Sequence, residues 1–165
     1  MRYSRAREVL RVDLPFDFLA ALGRVVVVSS QLEGQLALVI MILNPEERDG
    51  DWLAVTDNSP LERLRQMLGQ VPEGMRGRIT QSESDARDLL GKRHALVHSL
   101  AVVDQAALED DEVRWLSVHP RSGTEGPTPS AEEVNELAER IEALSAQILR
   151  QLRPLADSLR TGPAT

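Results

Sequence analysis

The residues best suited to chemistry in this chain lie within six positions of one another: Arg93, His94 and His98, in the stretch Arg93-His94-Ala95-Leu96-Val97-His98. A guanidinium stays protonated and presents paired N–H donors that match a phosphate or carboxylate. An imidazole takes or gives a proton near neutral pH. Side by side they suit anion binding coupled to proton transfer, the combination that phosphodiester cleavage requires. On a helical wheel with Arg93 at zero, Ala86, Leu89, Leu90, Leu96, Val97 and Leu100 fall within about sixty degrees, so the arginine sits in the middle of an apolar stripe. His94 and His98 lie at roughly 100 and 140 degrees, on a flank shared with the small residues Gly91 and Ala95. That flank has room for a ligand.

A desolvated guanidinium without an anion costs several kcal/mol, so Arg93 needs a partner. On an earlier apolar segment Glu33 falls in the stripe of Leu22, Val26, Leu36 and Ile40. Each stripe then carries one charge of opposite sign, and Glu33 is expected to orient Arg93. Two other readings of the histidines stay open. They could be surface residues beside a structural ion pair, or, four apart on a helix, they could hold a transition metal. No glutamate directly follows His94 and no third ligand is identifiable, so no metal is assigned. His119, just before Pro120, reads as an exposed loop histidine. Asp49, Asp51, Asp57 and the acidic run from Glu109 to Glu112 read as solvated loops without EF-hand spacing.

Proline punctuation sets the elements that must position these groups. None of the nine prolines falls in 16–44, 73–119 or 130–153, which permits a long helix in each window. The first helix is predicted over Phe16–Leu43, stopped by Asn44-Pro45. A shorter one opens at Ser59-Pro60-Leu61-Glu62, with an N-cap and a proline at the first helical position, and ends near Gly69. The glycine- and proline-bearing stretch 71–78 reads as a loop, after which Thr80 or Ser82 caps the motif helix, running to Ser99. Residues 100–103 and 113–118 suggest a small β-hairpin, and 121–129 a loop. Ser130 and Glu133 form a capping box for the last helix, whose stripe is Val134, Leu137, Ile141, Leu144, Ile148 and Leu152; Pro154 is expected to kink or end it. The expectation is one all-α domain over 1–165, a bundle of four to five helices with a hairpin insertion, its core at about 14–153 and a frayed tail after about 160.

Composition narrows the function classes. With 165 residues, 42% hydrophobic and 27% charged, the chain is long enough to bury a core without covalent help. It has no cysteine, which removes disulfide frameworks, thiolate zinc sites and cysteine nucleophiles. A net charge of −7 argues against coating nucleic acid with basic residues, though not against a local site. The longest uninterrupted apolar run, Leu36–Leu43, is far short of a bilayer span, and the arginine-rich N-terminus does not read as a signal peptide. A cytoplasmic protein with no membrane association is expected. The apolar circumference of that same run, Leu36–Leu43, suggests surface that a second copy covers, unless neighbours in the same subunit bury it.

The motif, followed by Ser99 and an apolar segment, resembles the signature of the HEPN superfamily (higher eukaryotes and prokaryotes nucleotide-binding domains). There an arginine, a polar residue that is often Asn, Asp or His, and a histidine with four to six residues between it and the arginine share one helix of a compact bundle; here there are four. Glu33, in Ser30-Gln31-Leu32-Glu33, looks like the acidic residue that many such bundles carry on an early long helix. The resemblance implies a metal-independent endoribonuclease without cofactors, working as a homodimer with both motifs meeting at the interface. Arg93 would then bind the scissile phosphate, His98 would serve as general base or acid, and His94 would assist. RNA would be the substrate, leaving a 2′,3′-cyclic phosphate and a 5′-hydroxyl. The resemblance also implies a toxin or defence setting with an antitoxin partner. The alternative is a non-catalytic dimeric interaction or nucleotide-binding protein, in which Arg93 and Glu33 only brace the helices.

Overall fold

A computed structural model of the chain describes residues 14–45, 60–98, 100–103, 115–118 and 125–160. The architecture is an all-α bundle. Its helices are α1 (Phe16–Leu43), α2 (Pro60–Met67), which runs into a 3₁₀ turn at Leu68–Gln70, α3 (Glu73–His98) and α4 (Ala131–Arg160). Between α3 and α4, the strands β1 (Leu100–Val103), β2 (Trp115–Val118) and β3 (Glu125–Pro127) pair antiparallel in that order. Leu100 stands opposite Val118, and Val118 opposite Glu125. The segment 121–129, which reads as a loop, thus contains β3. His119, the acidic stretches at 49–57 and 109–112, the Ser59 cap and the tail beyond 160 lie outside the described residues.

Helix α1 starts and stops where its sequence dictates. The Pro15 carbonyl accepts from Leu19 N at 3.1 Å, and Asn44 N closes the last turn on the Ile40 carbonyl at 2.9 Å, just before Pro45 forbids another. At the start of α4 the capping box is complete. Glu133 N donates to Ser130 Oγ at 3.2 Å, and Ser130 N donates to Glu133 Oε2 at 2.7 Å. Ser130→Ala should therefore cost about 1 kcal/mol and lower the melting temperature by roughly 2–4 °C in a thermal scan.

Two helix boundaries differ from the sequence reading, and packing explains both. Helix α3 begins at Glu73, well before Thr80. The Pro72 carbonyl accepts from Met75 N at 2.9 Å and Arg76 N at 3.0 Å, and Arg76 donates to the Val71 carbonyl at 3.2 Å. Met75 packs against the core and Ile79 lies within it, which outweighs the low helix propensity of Gly74 and Gly77. Helix α4 likewise runs through Pro154 to Arg160. Proline removes one N–H donor, but Leu155 beside it is fully buried and holds the backbone against the bundle.

Polar pins fix how the helices run. Arg24 on α1 bonds Glu142 at 2.7 Å and approaches Glu139 at 3.7 Å, while Ser145 Oγ donates to Gln35 Oε1 at 2.8 Å, so α1 and α4 are parallel. Asp88 meets Arg140 at 3.6 Å and Ser82 Oγ accepts from Gln147 Nε2 at 3.3 Å, so α3 is antiparallel to α4. Arg87 clamps α3 to itself and to α2, through Glu83 and through Glu62 at 3.7 Å. The Glu83 hydrogen bond raises the Arg87 guanidinium above its ordinary value, burial acting the other way. The core between the helices is built on Leu32, Leu36, Ile40, Leu64, Ile79, Ile141 and Ile148. Helix α1 is long and apolar enough to cross a membrane by length and composition alone, and its inner arc is the core of this bundle.

Candidate functional site

The motif lies at the end of the bundle where α3 finishes and α1 and α4 begin. Lys92, Ala95 and Leu96 line a cleft of about 260 Å³ with Pro129, Glu133, Val134 and Leu137 from the start of α4. Buried positions on α3 stop at Leu89; beyond it Leu90, Arg93 and Leu96 are only half-buried. Arg93 therefore continues the core-facing stripe, as its wheel position predicts, at the point where the core gives out. His94 and His98 are exposed, their ring centroids 4.3 Å apart and their planes tilted by 49°. That is the flank predicted for them.

The expected partnership between Glu33 and Arg93 does not form. Among the described residues neither takes part in an ion pair. The parallel packing of α1 on α4 explains why. Arg24 and Asp88 reach the same stretch of α4, and from there Glu33 lies toward one end of the bundle and Arg93 toward the other. The two are separated by roughly eight to fourteen residues of rise, on the order of 10–20 Å along the axis. A wheel reports the face of a helix and says nothing of height.

Arg93 is left with an unmet demand. Its Nε is shielded from solvent and has no hydrogen-bond partner. A shielded N–H of a permanent cation without an acceptor is costly, and the guanidinium also lacks a counter-charge, which an anion at the half-open end of the side chain would supply. The neighbouring cation, Lys92, is occupied differently: it bonds Asp88 at 2.7 Å, which Arg140 also approaches. No group of three or more His, Cys, Asp or Glu side chains able to hold a metal occurs among the described residues.

Gly91, on the flank expected to have room for a ligand, is exposed. It lies in the middle of α3, a turn before His94 and Ala95, and a Cβ there would meet nothing within 4 Å. No contact among the described residues requires a glycine at this position, which leaves bare helix backbone beside the two imidazoles. Gly91→Ala should stabilise the fold by about 0.5–1 kcal/mol in denaturant titrations. Gly91→Leu should keep that stability and crowd the histidine flank, lowering any activity housed there.

The cleft joins Ala95, on the flank expected to have room for a ligand, to Leu96 of the apolar stripe, and the part of α4 in its wall was not read from the sequence. Its signal was present in Pro129, which lets the chain approach α4 at an angle, and in Leu137, which is half-buried. Compared with known protein families, characterised proteins and solved structures, the chain matches none.

Proposed function

We propose that this chain is a HEPN-type, metal-independent endoribonuclease that acts as a homodimer, its bundle and hairpin insertion being of the HEPN kind. The observation that carries this reading is Arg93. It lies on the core-facing stripe, carries a shielded donor without an acceptor, pairs with no carboxylate of the described residues, and stands directly before an exposed pair of imidazoles in tilted contact. The competing reading, in which Arg93 only braces the bundle against Glu33, lacks the ion pair on which it depends.

In the proposed reaction the guanidinium neutralises the non-bridging oxygens of the scissile phosphate. His98 accepts the proton of the ribose 2′-hydroxyl as that oxygen attacks phosphorus. The P–O5′ bond breaks, and the leaving oxygen takes a proton from the imidazolium of the partner's His98. The products are a 2′,3′-cyclic phosphate and a 5′-hydroxyl, and no metal or covalent intermediate takes part. His94, its ring against that of His98, holds the imidazole in place. A cytoplasmic toxin or defence role, restrained by an antitoxin protein, belongs to the same proposal and rests on the resemblance of the motif.

The test is incubation of end-labelled RNA with the purified chain in EDTA, beside the Arg93→Ala/His98→Ala double variant. Cleavage by the wild type alone, with cyclic phosphate ends, is expected. Equal cleavage by both preparations, or none by either, defeats the proposal.

A further inference from the structure

We infer that the outward arc of α1 is the seam on which two copies of this chain pair across a two-fold axis. The run expected to supply the dimer surface gives only part of it: Leu36, Ala37, Val39, Ile40 and Leu43 are buried within the subunit, and Leu38 and Met41 are half-buried. The exposed apolar side chains lie in the first half of the helix. Phe16 is 85% exposed, Val27 58%, Leu19 47% and Val26 37%. These four side chains offer on the order of 400 Å² of apolar area to solvent, already as much as the largest patch of an ordinary monomer.

What covers this arc must be neutral. Helix α1 has three charged residues, and none lies on the midline of the arc. Asp17 accepts from Phe18 N, Arg24 is turned against Glu139 and Glu142 of α4, and the half-buried Glu33 stands at the edge of the arc, two turns beyond Val26. The middle of the arc offers an acidic, basic or phosphate-bearing partner nothing to pair with. Gly23 and Ser30, seven residues apart and both exposed, lie among the apolar side chains. A Cβ at Gly23 would meet nothing within 4 Å, so a second helix can approach the backbone closely. An arc with a charge-free centre and a small-residue notch is complementary to itself, as an isologous interface requires. Continued past Ser30 by Gly34, Leu38 and Met41, all half-buried, the arc spans nearly 40 Å at 1.5 Å per residue, enough to approach the ~800 Å² per partner of a stable pair.

This seam rests on the exposure of α1 and shares with the nuclease proposal only the expectation of a dimer. It also begins at the end of the bundle that houses Arg93 and His98. The test is sedimentation of the full chain as wild type, Val27→Glu, Leu19→Glu/Val27→Glu and, as a control on the outer side of α3, Ser84→Glu, with circular dichroism to confirm that each is helical. The wild type and Ser84→Glu are expected to sediment as dimers. Val27→Glu should weaken association by more than about 100-fold, because the seam would have to bury two carboxylates. Dimers that persist in the folded double variant overturn the inference. A monomeric wild type also overturns it, and flotation of that monomer with phosphatidylcholine vesicles would assign the arc to a bilayer instead. A dimer that leaves RNA intact ends the nuclease reading and keeps the seam; a monomer that cleaves RNA does the reverse.

Discussion

Replacing Arg93 with Met should abolish RNA cleavage and, in the same protein, leave the melting temperature unchanged or raise it. A residue that serves the fold does not behave this way, and the opposition follows from the position. The side chain lies on the core-facing stripe, so a flexible apolar side chain of similar length can fill its place. Its shielded Nε has no acceptor, so removing it takes away a desolvation cost without breaking a bond, a gain of up to about 1 kcal/mol. The same substitution deletes the only cation proposed to meet charge on the transferring phosphate. Loss of one such group typically slows a reaction by ~10²–10³-fold. Arg93→Lys should rescue little, since a point charge cannot reproduce the planar fork. Because Glu33 stands at another height in the bundle, the stability changes of Glu33→Gln and Arg93→Met should simply add. A melting temperature that falls by several degrees in Arg93→Met would make the arginine a structural brace, and the catalytic proposal would lose its support.

The largest effect on stability should come from Leu32→Ala. Leu32 is completely buried at the centre of α1, and truncation there removes its transfer energy and leaves a cavity that rigid helices cannot close. A loss of about 2–5 kcal/mol is expected, a large part of the 5–15 kcal/mol that holds a typical domain together. Leu149, 56% exposed on α4, is the control: the same substitution there should change stability by no more than about 0.5 kcal/mol. Urea titrations of the two variants compare them directly. A small loss at Leu32 would show that α1 is not the central helix of the bundle.

The elements legible in the sequence were those marked by chemistry local to a few residues. Asn44-Pro45 ends α1 because proline has no N–H, and Ser130 with Glu133 opens α4 because two side chains satisfy two backbone donors. Elements decided by distant packing were misread. Gly74 and Gly77 look like a loop until Met75 and Ile79 are seen against the core, and Pro154 looks like an end until Leu155 is seen beneath α4's neighbours. The candidate site divides along the same line. The faces of Arg93, His94 and His98 follow from one helix's periodicity and are correctly read. The partner of Arg93 depends on how two helices slide past each other, set by Arg24 on Glu142 and Ser145 on Gln35, contacts that no wheel contains.

The parallel union of the first and last helices has a consequence for how this protein is made. Their contacts link residues more than a hundred positions apart, 118 between Arg24 and Glu142 and 110 between Gln35 and Ser145. On the ribosome, at about 5–20 residues per second, the N-terminal helix waits roughly 6–24 s for its mate, and its greasy surface has no permanent shelter during that interval. A nascent chain interrupted before residue 131 would leave the tunnel with α1 uncovered, the kind of species that chaperones bind and proteases remove.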